Sequence, residues 1–109
     1  MKQVMKMKKI IIVEDDERLR EELKILLENN GYEARILRTF DHAADALIEM
    51  DADLVLLDIM IPGINGQQVL KQLRTKSDVP VIMVTSKNNE VNEVLSMSYG
   101  ADDYMTKPY

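Results

Sequence analysis

The stretch Leu54-Val55-Leu56-Leu57-Asp58 constrains this chain more than any other. Four apolar residues in a row, with no polar alternation, read as a strand buried on both faces. The run stops at a carboxylate, and Ile61-Pro62-Gly63 breaks the backbone soon afterwards. Strands of this kind belong to parallel sheets covered by helices on both sides, and ligands of such sheets gather at the carboxyl ends of the strands. Asp58 therefore sits where chemistry is expected, at the rim of a sheet.

The flanking sequence repeats the pattern. Lys9-Ile10-Ile11-Ile12-Val13 is a β-branched run that ends at Glu14-Asp15-Asp16. Leu19, Leu23, Leu26 and Leu27 then form an apolar stripe at helical spacing, with Asp16 as N-cap and Asn29-Asn30-Gly31 as the stop. Tyr32 to Leu37 alternates and reads as an edge strand, and Phe40, Ala44, Leu47 and Ile48 mark a second helix. The lone His42 lies off that stripe and reads as a surface residue. Gly63 to Gly66 reads as a loop, and Val69, Leu70 and Leu73 as the stripe of a third helix. Val79 to Val84 is a fourth strand, with Pro80 near its start where a missing N–H is tolerated. Val91, Val94 and Leu95 mark a fourth helix stopped by Gly100, and Tyr104-Met105-Thr106 is a fifth strand. Strand and helix alternate with short connections, which predicts a parallel sheet wrapped by helices in one domain.

Composition excludes several function classes. The chain has no Cys, so a disulfide framework, a thiolate metal site and a cysteine nucleophile are ruled out, and a reducing cytosol suits it. The net charge of −5, with no strongly basic stretch, argues against nucleic-acid binding by these residues themselves. No apolar run is long enough to span a membrane, so no membrane partner is expected. Lys2, Lys6, Lys8 and Lys9 precede only a short apolar run that turns acidic, which argues against a signal peptide; residues 1–7 read as a solvated tail.

Four of the five predicted strands end in a chemically marked residue: Glu14-Asp15, Asp58, Thr85 and Lys107. One acid after a strand commonly means a turn or a helix cap; complementary polar groups at four strand ends point to a site. Three carboxylates held together repel, so at least one pKa should rise, and a hard divalent cation such as Mg2+ relieves the repulsion. Asp58 is then placed to act as a carboxylate nucleophile toward phosphorus. Phosphoryl transfer needs charge neutralisation on the moving oxygens, for which the Lys107 ammonium and the Thr85 hydroxyl are available. A cis Lys107-Pro108 bond would fix the direction of the lysine.

These residues resemble a known family. Val13-Glu14-Asp15-Asp16, Asp58-Ile59-Met60-Ile61-Pro62-Gly63-Ile64-Asn65-Gly66, Val84-Thr85-Ser86 and Gly100-Ala101-Asp102-Asp103-Tyr104-Met105-Thr106-Lys107-Pro108 are similar to the receiver domain of two-component response regulators, and most similar to OmpR/PhoB-like transcription factors. The resemblance spans residues 8–109 and implies a flavodoxin-like, doubly wound α/β sheet of strand order 2-1-3-4-5. It implies Asp58 as acceptor of a phosphoryl group from a sensor histidine kinase, with Mg2+ held by Glu14, Asp15, Asp58 and the backbone carbonyl of Met60. Thr85 would be the switch hydroxyl, Tyr104 the switch aromatic and Lys107 the phosphate-binding lysine. The resemblance further implies a cytoplasmic switch that assists its own phosphorylation and dephosphorylation rather than a turnover enzyme. Its partners would include a second copy of the chain, docked through the fourth helix and fifth strand, and DNA only through a separate C-terminal domain.

The chain departs from the family pattern at two places. Its acidic pair is Glu-Asp, with Asp16 as a further candidate that more simply caps the helix. The family carries a fifth helix after the Lys-Pro motif, whereas this sequence ends at Tyr109. Without that helix, apolar surface is expected near the first and fifth strands, and Asp102 and Asp103 lose the basic residues they would meet there. Three other functions compete. An aspartate-nucleophile phosphatase needs Asp-x-Asp at the strand end, but Ile59 and Met60 follow Asp58. A flavodoxin-like cofactor site needs a phosphate loop that Glu14-Asp15-Asp16 would repel. A phosphorylation-independent pseudo-receiver, acting as an interaction module, is argued against by the retained Glu14, Asp15, Asp58, Thr85 and Lys107.

Overall fold

The computed structural model describes residues 7–85 and 90–107, with side chains in the second stretch from residue 93 onward. The tail reading for residues 1–6, the Ser86 end of the fourth strand, the Val91 position on the helix stripe and the Pro108 isomer lie outside the described residues.

The elements follow in the order β1 (Lys9–Val13), α1 (Glu17–Asn29), β2 (Glu33–Ile36), α2 (Ala43–Met50), β3 (Leu54–Asp58), β4 (Met60–Ile61), β5 (Ile64–Asn65), α3 (Gly66–Arg74), β6 (Val81–Thr85), α4 (Glu90–Ser98) and β7 (Asp103–Thr106). Five strands form one parallel sheet of order β2-β1-β3-β6-β7. This is the expected 2-1-3-4-5 order, because β4 and β5 form a separate two-stranded antiparallel hairpin. That hairpin occupies the stretch the sequence marks only as a turn and a loop.

β1 and β3 are central and have the predicted bounds. Alternate residues feed two cores, one on each sheet face. Ile11, Val13, Val55, Leu57, Val81 and Met83 pack with Leu47 of α2 and with Val69, Leu70 and Leu73 of α3. Ile12 and Leu56 pack on the opposite face with Leu19, Leu23 and Leu27 of α1 and with Ala34. Val69, Leu70 and Leu73 are completely buried, as their spacing predicts.

Some expectations need correction. Leu26 is 57% exposed although it belongs to the leucine stripe, because that stripe is wider than the strip of sheet α1 covers. β2 is shorter than predicted, since the Tyr32 N–H closes the end of α1 on the Leu27 carbonyl at 3.1 Å. α2 starts at Ala43, after Phe40, with exposed His42 in the left-handed region at φ 55°. β6 begins after Pro80, which has no N–H for the ladder; its carbonyl instead accepts from Val55 N at 2.9 Å. β1 is not exposed, because it lies between β2 and β3 under α1, and Ile10 to Val13 are all at most 4% accessible. On β7, Met105 is 38% exposed. Asp102 meets a base from another element: Arg74 at the end of α3 lies 3.0 Å from it.

Candidate functional site

Parallel register assembles the site. Val13 pairs with Leu57, Asp58 with Val84, and Thr85 with Thr106. Glu14 thus leaves β1 beside Asp58, and Lys107 leaves β7 one residue past the partner of Thr85. The Lys107 N–H donates to the Thr85 carbonyl at 2.7 Å, which extends the ladder to the lysine itself.

Glu14 and Asp58 are buried, at 3% and 4% exposure, and Asp15 is exposed. Glu14, Asp15 and Asp58 each present a carboxylate oxygen within 4.8 Å of the others. Two of these acids share one cation: Lys107 Nζ is 2.9 Å from Asp58 Oδ2 and also pairs with Glu14 Oε1. Backbone donors hold the remaining oxygens. Met60 N–H donates to Asp58 Oδ1 at 3.1 Å, and Asp16 N–H donates to Glu14 Oε2 at 3.2 Å. The Asp16 carboxylate points elsewhere, accepting from Leu19 N at 3.1 Å as the cap of α1.

Like charges in a buried site shift their proton affinities. Burial, followed by the neighbouring Asp58 carboxyl, pushes the Glu14 carboxyl up to about 7, against the pull of Lys107 and the Asp16 N–H. For Lys107, burial alone lowers the ammonium pKa, but the bonds to Glu14 and Asp58 outweigh it and leave the group raised. The site therefore keeps its lysine charged while straining one acid toward neutrality. Three oxygen donors with excess negative charge make a set that fits a hard divalent ion such as Mg2+ and would suit a soft metal poorly.

The Thr85 side chain is fully buried at the end of β6, one residue past the strand partner of Asp58. Tyr104 lies on β7, three residues before Lys107. It is half-buried against the α2–α3 core, and its hydroxyl pKa is raised by burial and then by the charge of Glu93 on α4. The Met60 backbone follows Asp58 by two residues, at the start of the small hairpin.

One contributor is legible only in three dimensions. Gly66 N–H donates to the Ile59 carbonyl at 2.7 Å, and a Cβ on Gly66 would lie 1.9 Å from the Asp58 carbonyl oxygen. The start of α3 is thus pressed against the backbone of the central acid, which only glycine permits. In sequence, Asn65-Gly66 reads as a loop and closes the motif that begins at Asp58, with no role of its own; Asn65 in fact caps α3, accepting from Gln67 N at 2.7 Å.

Comparison with known proteins agrees with this geometry. A family model described as the response regulator receiver domain matches residues 10–109. The sensory transduction protein RegX3 of Mycobacterium tuberculosis is 47% identical over 103 residues, covering 94% of this chain and 45% of that protein. RegX3 of Mycolicibacterium smegmatis matches to the same extent, so the chain spans about half the length of these curated relatives. Among solved structures, the BeF3-activated N-terminal receiver domain of Klebsiella pneumoniae RstA superposes with a TM-score of 0.88 at 32% identity, covering 94% of this chain and 87% of that one. TrrA of Thermotoga maritima, solved in complex with Mg(2+)-BeF, superposes with a TM-score of 0.82 at 34% identity, covering 94% and 89%.

Proposed function

The chain belongs to the response regulator receiver domain family, and we propose that Asp58 is its phosphoryl acceptor. Receiver domains are signalling switches, and phosphorylation is their trigger. The observation that carries the assignment to Asp58 is the convergence of Glu14, Asp15, Asp58 and Lys107 from three strand ends around one buried carboxylate.

An Asp58 carboxylate oxygen attacks phosphorus of a phosphohistidine on a sensor kinase. The O–P bond forms as the P–N bond breaks, and the electron pair returns to the imidazole nitrogen. Lys107 already holds Asp58 Oδ2; as charge moves outward, its ammonium follows onto a phosphoryl oxygen. The Thr85 hydroxyl donates to another phosphoryl oxygen, and Tyr104 repacks in the space that this move vacates. Glu14, Asp15, Asp58 and the Met60 carbonyl are the ligands proposed for Mg2+, which when bound neutralises charge on the phosphoryl oxygens. Residues 8–109 act as the receiver unit, and the response is a population shift at the α4–β7 surface.

The same reading supplies partners. A cytoplasmic sensor histidine kinase donates the phosphoryl group. Exposed Val94, Met97 and Met105 favour a homodimer through α4 and β7. DNA is reached through a separate C-terminal output domain, in keeping with the greater length of the RegX3 relatives. No helix among the described residues is long and apolar enough to cross a membrane.

The test is intact-mass measurement after incubation with Mg2+ and a small acyl phosphate. One added phosphoryl group is expected, absent without Mg2+ and absent in Asp58→Asn. An adduct that persists in Asp58→Asn would remove Asp58 from the role.

A further inference from the structure

A buried polar contact joins α3 to α4 where apolar packing would suffice. Gln67 is 7% exposed and Ser96 is completely buried. Gln67 Nε2 donates to Ser96 Oγ at 3.1 Å. One turn along α3 from Gln67 lie completely buried Leu70 and also Lys71, whose ammonium stands 4.9 Å from the Tyr99 ring centroid. Polar groups buried this deeply hold together tightly, because separating them leaves buried atoms unsatisfied.

The two ends of this bond are anchored to different parts of the molecule. Gln67 follows Gly66, which touches the Asp58 carbonyl and donates to the Ile59 carbonyl, and the Gln67 N–H is fixed on the Asn65 cap. The first turn of α3 is therefore tied to the backbone of the acceptor residue. Ser96 lies in the last turn of α4, and its carbonyl accepts from Ala101 N at 3.0 Å, just before the chain enters β7. The bond thus spans from the segment that follows Asp58 to the helix of the α4–β7 surface.

We propose that the Gln67–Ser96 hydrogen bond is a second coupling contact, with Gln67 as a positioning residue that transmits the state of the Asp58 loop to α4. The inference rests on the phosphoacceptor reading of Asp58. A phosphoryl group changes the demand on the Met60 N–H, which now holds Asp58 Oδ1. Any shift of residues 59–65 carries Gly66 and the first turn of α3 with it. The buried amide then either draws Ser96 along or gives up that bond, and the burial of both groups favours the first outcome.

The experiment uses the full-length protein with Mg2+ and acetyl phosphate. Phosphorylation is followed by intact mass, and hydrogen exchange of residues 90–98 and 103–107 is compared before and after. Gln67→Met keeps the length of the side chain and removes the donor; Ser96→Ala removes one oxygen. Each variant is expected to become phosphorylated at the wild-type rate. Each should also lose about fivefold or more of the phosphorylation-dependent change in α4, the lower end of ordinary coupling strengths. The double variant should lose no more than either single one, because one bond is removed in all three. A wild-type α4 response in both single variants, or strictly additive losses in the double, overturns the proposal. If Gln67→Met fails to fold, Ser96→Ala still reads the same bond. If the wild type takes up no phosphoryl group, the Asp58 reading fails and this inference falls with it.

Discussion

Gly66→Ala is the substitution whose consequence the structure sets most sharply. The new Cβ would stand 1.9 Å from the Asp58 carbonyl oxygen, 2.8 Å from its carbonyl carbon and 2.9 Å from the Ile59 Cα. Ordinary contact begins at 3.4 Å, so the start of α3 and the end of β3 must separate by about 1.5 Å. All three neighbours are backbone atoms, so no side-chain rotation relieves the clash. Overpacking of this kind costs about 1–3 kcal/mol. The displacement also weakens the 2.7 Å bond from Gly66 N to the Ile59 carbonyl, worth about 1 kcal/mol. Better helix propensity of alanine returns at most about 1 kcal/mol. The net loss is about 1–4 kcal/mol, or upward of about 5 °C in Tm for a domain of this size. Urea unfolding measures it, with an unchanged slope showing that the midpoint reports stability. Phosphorylation of Asp58 should slow by about a hundredfold, since an error of about 1 Å in a reacting group has that effect. Gly63→Ala is the control. Gly63 has φ +81° and nothing within 4 Å of an added Cβ, so it incurs only backbone strain of about 1–2 kcal/mol. A Gly66→Ala loss below about 0.5 kcal/mol would refute the close approach.

Glu14 makes stability and metal affinity depend on pH in opposite senses. Its carboxyl is raised from 4.5 to about 7, so between those values the folded chain holds a proton that the unfolded chain has lost. Metal-free stability should therefore fall as pH rises through that window, by at most about 3 kcal/mol. Mg2+ needs the ionised acid, so its stabilising effect should grow with pH up to about 7, by up to about tenfold in affinity per unit. Thermal unfolding from pH 5 to 8, with and without Mg2+, checks both; a metal effect independent of pH would contradict the assignment. Arg74→Met should cost about 2–4 kcal/mol, because it strips partners from the Gly100 and Val79 carbonyls and from Asp102. Denaturant unfolding reads this loss, and an effect within about 0.5 kcal/mol would show that the clamp carries no net stability.

Most of the sheet is legible in the sequence because burial on both faces leaves a continuous apolar signature. β1 and β3 have their predicted bounds for that reason, and the same signature identifies the strand ends that carry Glu14, Asp58 and Thr85. Lys107 lies one residue beyond β7, a short half-exposed edge strand whose signature is weaker. Boundaries fail where the backbone ladder, not the side-chain pattern, decides them. Pro80 keeps its run out of β6, and the Tyr32 N–H serves α1 before β2 can begin. The hairpin of β4 and β5 leaves no trace, because two-residue strands are too short for periodicity.

The sequence by itself determined the class of fold and the inventory of the candidate site: acids, a hydroxyl and a lysine at the carboxyl ends of parallel strands. Local chemistry was enough for that, since each strand is marked by its own residues and ends at its own polar group. Tertiary structure alone decided which groups meet. Parallel register set Glu14 beside Asp58 and brought Lys107 to both. Packing of α3 onto β3 turned Gly66 from a loop residue into a spacer the width of a hydrogen atom. The crossing of α3 and α4 joined Gln67 to Ser96, two residues with no pattern to link them. Apart from the Gly66 approach, these contacts join segments far apart in the chain, and no local signal encodes a distance that only the folded sheet creates.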